Sequence, residues 1–101
     1  MTSSIDEILR RHPDRVPVYV KVRGDIELER PKYLVPKDMS VGQFTVHVRK
    51  SMKLNKHDAV FMFVNGSVLP PVSKLIGDLY KEFAKSDGML HITYAKENTF
   101  G

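Results

Sequence analysis

The clearest pattern in the chain is an alternation of period two. Val16, Val18, Val20 and Val22 alternate with Pro17, Tyr19, Lys21 and Arg23, which predicts a strand over Val16–Val22 with one buried and one mixed face. Pro17 has no backbone N–H, so the strand is expected to expose an edge or carry an irregularity there. A second short strand is read over Lys32–Val35 and stopped by Pro36. The polar stretch Gly24–Pro31 between them reads as a loop or hairpin turn, punctuated by Gly24-Asp25. Val60–Val64 (VFMFV) is a continuous apolar run, read as a buried strand, and Asn65-Gly66 behind it is the strongest turn dipeptide in the chain. The final strand is read over Met89–Tyr94, where Leu90, Ile92 and Tyr94 alternate with His91 and Thr93.

Elsewhere the period changes to that of a helix. From Ser40 to about Met52, the residues Val41, Phe44, Val48 and Met52 share one helical face. Ser40 and Gln43 fit a capping box, in which each side chain satisfies a backbone N–H of the other end of the turn. Gly42 is poor helix material, so this helix must be held by packing. Ser73–Ala84 is a second helix with Ser73 as its cap and Ile76, Leu79, Tyr80 and Phe83 along one face. Ser4–Arg11 is a third, short one. Ser4 and Glu7 form a possible capping box, Ile5, Ile8 and Leu9 an apolar edge, and Arg10 and Arg11 complement the helix dipole before Pro13 ends it. Leu54–Ala59 is a connector, Leu69-Pro70-Pro71 a stiff extended segment, and Lys96–Gly101 a free tail. Two strands, a helix, a strand, a helix and a strand make an α+β roll around one sheet.

Composition narrows the function classes. A chain of 101 residues forms one domain with a modest core. There is no apolar run long enough to span a membrane as a helix, and the N-terminus lacks a signal-peptide core. Cysteine is absent, which excludes disulfides and a thiol nucleophile. His12, His47, His57 and His91 match no metal-ligand spacing, and no H-E-x-x-H, G-x-S-x-G or Gly-rich phosphate loop occurs. An enzyme, a metal site and a cofactor are therefore not expected. The net charge of +4 is uneven: residues 1–56 hold 12 Lys/Arg against 7 Asp/Glu, residues 57–101 hold 4 against 5. A basic half fits acidic partners or an ordinary solvated surface. Nucleic-acid binding is the alternative class, but no RNP-like motif or recognition-helix pattern supports it.

The segments DRVPV (14–18), KYLVP (32–36), VGQF (41–44), FVN (63–65), LPP (69–71) and ENTFG (97–101) occur in register along nearly the whole chain. In these the sequence resembles the autophagy ubiquitin-like modifiers, lipid-conjugated relatives of the GABA-receptor-associated protein. The resemblance implies a ubiquitin-like β-grasp, with a four-stranded mixed sheet packed on a central helix and one short N-terminal helix. The ubiquitin-like domain would span residues 1–95 and a flexible conjugation tail residues 96–101. It implies no catalytic activity. It also implies attachment of Gly101 to phosphatidylethanolamine by activating and conjugating enzymes, processing or deconjugation by a cysteine protease, and residence in the cytoplasm and on the autophagosome membrane. The remaining alternative within this fold is an interaction module that is not conjugated, or a modifier of protein.

The resemblance further implies docking of short aromatic-x-x-aliphatic motifs of cargo receptors, added as a strand beside Lys32–Val35. The first pocket would use Ile8, Pro17, Tyr19, Lys32, Leu34 and Met89. The second would use Tyr33, Val35, Pro36, Met39, Phe44 and Val48. Arg15, Arg49 and Lys50 would meet acidic flanks. The helical periodicity leaves open whether Phe44 and Val48 are pocket or core. The chain departs from the family pattern in its shorter N-terminus, in Met89 where relatives carry an aromatic residue, in His47 at an aliphatic position, and in Ser51 at a basic one.

Overall fold

The computed structural model describes residues 4–24, 26–55, 58–66 and 68–96. The elements run α1 (Ser4–Arg11), β1 (Arg15–Arg23), β2 (Glu27–Leu28), β3 (Lys32–Pro36), α2 (Val41–Arg49), β4 (Met52–Lys53), β5 (Val60–Val64), α3 (Ile76–Phe83) and β6 (Leu90–Lys96). Four strands form a mixed sheet in the order β3-β1-β6-β5, with β1 and β6 parallel at its centre. The expected four-stranded mixed sheet with helices is thus observed. Asp25, the Ser4 and Ile5 side chains, and the tail from residue 97 to Gly101 lie outside the described residues.

The valine alternation builds the core. The register sets Val16 opposite Val35, Val18 opposite Tyr33 and Leu90, Val20 opposite Ile92, and Met62 opposite Tyr94. These side chains share one face of the sheet, and Val41, Phe44 and Val48 of α2 with Ile76 and Leu79 of α3 complete the same cluster. Pro17 lies one residue before the parallel ladder to β6 begins at Val18. Val20 N–H donates to Pro31 O, so the even residues of β1 bond toward β3 and Pro17 would have donated toward β6, where nothing is yet paired.

Several boundaries differ from expectation. The Gly24–Pro31 stretch and the end of the predicted central helix each contribute a two-residue strand, and β2 pairs with β4 through Glu27–Lys53 and Leu28–Met52. Met52 is therefore buried from a strand rather than from α2, which stops at Arg49. A single apolar residue can satisfy a helical period from outside the helix, which is why periodicity ran on too far. β5 is an edge strand, with Met62 and Val64 buried and Phe61 and Phe63 half-buried. β6 continues past Tyr94 to Lys96, which is half-buried and ion-paired with Asp58 at 3.3 Å.

The largest correction is at α3. It begins at Ile76, Leu75 is its cap residue, and no side chain caps it. Ser73 is instead part of a turn, and the α3 N–H groups find backbone acceptors. Ile76 N–H donates to Met39 O at 2.8 Å and Gly77 N–H to Lys37 O at 2.9 Å. The loop before α3 answers in kind: Lys74 O accepts from Val41 N–H at 2.8 Å and Val72 O from Gly42 N–H at 3.0 Å. The Ser40–Gln43 capping box forms as read, at 3.0 and 3.1 Å.

The two helical glycines then separate. A Cβ on Gly77 would stand 2.8 Å from Lys37 O and 2.8 Å from Lys37 Cβ, whereas one on Gly42 would meet Val72 O at an ordinary 3.5 Å. Gly77→Ala should cost about 1–3 kcal/mol, because backbone must move to relieve the overlap. Gly42→Ala should be neutral or stabilising by up to about 1 kcal/mol, from helix propensity. Urea unfolding of both variants checks the contrast.

Candidate functional site

Among the described residues β3 pairs with β1 alone, which leaves its other edge open. The phase of the β1–β3 ladder turns the backbone of Tyr33 and Val35 toward β1 and that of Lys32 and Leu34 outward. The side chains divide the opposite way to the sheet's two faces. Tyr33 and Val35 join the core side under α2. Lys32 and Leu34 lie on the far side, where Lys32 is opposite Tyr19 and Leu34 opposite Pro17.

On the core side a cavity of about 290 Å³ opens between β3 and α2, lined by Arg15, Tyr33, Leu34, Val35, Pro36, Met39, Phe44 and His47. Tyr33 supplies one wall, edge-on to Phe44 at 5.5 Å between ring centroids and to His47 at 5.9 Å. Phe44 is fully buried, yet it lines this cavity; it is both core and floor. Val48 is fully buried and does not line it, so it is core. Arg49 and Lys50, at the end of α2, do not line it either. Arg15 does, and its Nη1 donates to Leu34 O at 3.3 Å, across the open edge.

The core under α2 also holds polar atoms. Thr45 Oγ1 donates to Val41 O at 2.9 Å, so the Tyr94 hydroxyl is the donor in its 2.9 Å bond to Thr45. Burial pushes the Tyr94 phenol well above its usual value. The Tyr33 hydroxyl is also buried and has no hydrogen-bond partner among the described residues, a cost of about 1–3 kcal/mol.

On the far side, α1 lies against β1, with Ile8 half-buried and Pro17 buried. Tyr19, Leu34 and Met89 are half-buried and Lys32 is exposed. Tyr19 also meets His91, with ring centroids 5.8 Å apart, and His91 Nε2 contacts Asp87 Oδ2 at 2.7 Å. Sequence reasoning did not place His91 here. The period-two alternation of β6 could have done so, since it sets His91 opposite to Leu90 and Ile92.

Nearly the whole chain matches a known family. The model for "Autophagy protein Atg8 ubiquitin like" covers residues 2–101. Autophagy-related protein 8a of Arabidopsis thaliana is 43% identical over 102 residues, covering 98% of this chain and 83% of that protein. The crystal structure of Trypanosoma brucei ATG8 superimposes with a TM-score of 0.84 at 39% identity, over 94% of this chain and 84% of that one. A structure of Plasmodium falciparum Atg8 in complex with a P. falciparum Atg3 peptide does so with a TM-score of 0.77 at 28% identity, over 91% and 86%. The chain belongs to the Atg8 family. Its sheet and helices are the Atg8 form of the ubiquitin-like fold, and in this Atg8 chain the cavity over Phe44 and the far-side surface of Tyr19, Leu34 and Met89 lie on the two sides of the edge strand β3.

Met89, on the far side, is positioned by Asp87. Its N–H donates to Asp87 Oδ1 at 2.9 Å. That bond, followed by the one with His91, holds the Asp87 carboxyl below its usual value. A depressed carboxyl lends stability that is present above its unfolded pKa of about 3.9 and is lost as pH falls through the lower folded value. The amide signals of Met89 and His91 should therefore shift on acidification with a midpoint below about 3.9, and Asp87→Asn should remove that step from the NMR titration.

Proposed function

We propose that this Atg8-family chain is a modifier of autophagy with two activities: conjugation of Gly101 to phosphatidylethanolamine, and docking of short aromatic-x-x-aliphatic segments of cargo receptors on β3. The observation that carries the docking is the division of β3 between two faces. In an extended strand, residues i and i+3 point to opposite sides. A peptide strand bonded to the outward groups of Lys32 and Leu34 therefore sends its aromatic side chain toward Tyr19, Pro17, Leu34 and Met89, and its aliphatic one into the cavity over Phe44. A spacing of two or four would put both on one side. Arg15, already beside Leu34 O, and Lys32 meet acidic flanks of the peptide, and Arg49 and Lys50 extend the basic margin along α2. The Plasmodium relative solved with a bound peptide supports peptide docking as a use of this fold.

Conjugation rests on family membership. Gly101 has no Cβ, so its carboxylate is unhindered toward adenylation, transfer to a thiol and then to an amine. Activating and conjugating enzymes would supply those thiols, since this chain has no cysteine, and a cysteine protease would reverse the attachment. Such a chain works between the cytoplasm and the autophagosome membrane. No helix among the described residues is long and apolar enough to cross a membrane, which agrees with attachment through a lipid.

In a reconstitution with cognate activating and conjugating enzymes, ATP and phosphatidylethanolamine liposomes, the wild-type chain should become lipid-linked and the Gly101 deletion should not. An unmodified wild-type chain beside an active control would refute conjugation. Separately, an acidic aromatic-x-x-aliphatic peptide should move the amide signals of Lys32, Leu34, Tyr19 and His47. Leu34→Ala should weaken it about tenfold, the loss of part of a buried leucine contact. Shifts confined to residues away from β3 would refute the assignment.

A further inference from the structure

The far face of the sheet carries a second recess, beyond the Tyr19–His91 contact and apart from the open edge of β3. It has a volume of about 290 Å³ and is lined by Lys21, Val22, Arg23, Asn65, Gly66, Lys85, His91 and Thr93. Three of these are cations brought from distant parts of the chain: two from the end of β1 and one from the segment after α3. Their backbones are fixed. Lys21 and Arg23 pair with Thr93 and Ala95 in the parallel ladder, and Lys85 is held by bonds from its N–H to Met89 O and from Gly88 N–H to its carbonyl. The Asn65-Gly66 turn closes one side through Asn65 N–H to His91 O and Asn65 Nδ2 to Phe83 O. Both turn residues have positive φ, 51° and 81°, and an added Cβ on Gly66 would lie 3.9 Å from Arg23 Nη2, so Arg23 reaches across β6 to this turn.

The cations of the recess lack a contacting carboxylate among the described residues; Lys85 is only near enough to Asp87 to help lower its carboxyl. Among the described residues, Lys21, Arg23 and Lys85 make no ion pair, whereas Arg11, Lys53, Lys74 and Lys96 each have a carboxylate partner. Lys21 has only the Tyr19 ring, 5.8 Å from its Nζ. Asp87, which adjoins the recess through His91, is already held by His91 and the Met89 N–H. Three like charges around one concavity repel each other and focus a positive potential there.

We infer that this recess binds a small phosphomonoester, with Arg23, Lys21 and Lys85 as its ligands. A carboxylate carries one charge and is satisfied by a single guanidinium fork; a phosphomonoester brings about −1.5 to −2 at neutral pH and three acceptor oxygens, which matches three cations. The backbone of a nucleic acid would need a basic stripe rather than one local concavity. The volume, near the lower end of small-molecule sites at about 300 Å³, takes the phosphate with a sugar- or inositol-sized body. That body can be a soluble metabolite or the head of a membrane lipid.

The test is an NMR titration of the full chain with inositol monophosphate, against sodium chloride at matched ionic strength, together with sedimentation on phosphatidylcholine vesicles with and without phosphatidylinositol 4-phosphate. The amides of Lys21, Gly66 and Thr93 should move saturably with the phosphoester and stay in place with chloride. Arg23→Gln should weaken binding about tenfold or more, as loss of a charge-assisted bond does, and the triple variant K21Q/R23Q/K85Q should not saturate. These side chains are exposed, so the fold survives their removal, and R23Q should leave peptide docking on β3 unchanged. Sedimentation only with phosphoinositide vesicles assigns the phosphate to a lipid head, and binding in solution alone assigns it to a metabolite. Absence of saturable binding in both arms, equal shifts with chloride, or undiminished binding by the triple variant overturns the inference.

Discussion

The two main helices begin against each other, and the rest of the molecule depends on how they do so. A helix start leaves N–H groups without partners, and most helices recruit a side chain or water for them. Here residues 37–39 give carbonyls to the first turn of α3, while residues 72–74 give carbonyls to the first turn of α2. The Ser40↔Leu75 bridge ties the two loops together. The exchange is possible only because Gly77 admits Lys37 within what would otherwise be a Cβ contact. It fixes Pro36 and Met39 relative to Phe44, and those three residues make one side of the cavity beside β3.

The same sheet has two outer strands, and they are not equivalent. At the end of β5, Val64 exchanges backbone bonds with Val68, so the chain folds back over its own edge there. Among the described residues β3 has no such cover; it has Lys32 in the open and the Arg15 guanidinium against Leu34 O. Charged side chains beside an edge discourage indiscriminate strand pairing. In the same place they would favour the acid-flanked strand proposed above, whose backbone donor would take the place of the Arg15 guanidinium, now 3.3 Å from Leu34 O.

Local pattern carried much of this architecture. The valine ladder, the capping box on α2, the Asn65-Gly66 turn and the bounds of α1 and β5 are all statements about neighbours in sequence, and the structure has them. So is the split of β3 between the two faces of the sheet, because alternation assigns Tyr33 and Val35 to one side and Lys32 and Leu34 to the other. What was not legible depends on distant segments. Ser73 has the right chemistry for a cap, but carbonyls from residues 37–39 do that work and the helix starts later. Met52 fits the helical period and is buried by pairing with Leu28 instead. Phe44 could not be divided between core and pocket by any periodicity, since a residue with no solvent exposure can still form the floor of an open cavity.

Charge shows the same limit more sharply. Counted along the chain, the excess lies in residues 1–56, a diffuse basic half. Folding redistributes it. Lys53 is neutralised by Glu27, and Arg11 by Glu7. Arg15 is drawn to the open edge, and Lys21 and Arg23 are carried along β1 to meet Lys85 from the nominally acidic half. The parallel pairing of β1 with β6 is what brings them together, since it sets Lys21–Arg23 beside Thr93–Ala95, on the same face of the sheet as His91. A potential that looks uniform in sequence thus resolves into two separate places on the molecule. One is an extended edge whose shape suits a peptide, and the other a local concavity whose shape suits a compact anion. The Tyr19–His91 contact marks the boundary between them.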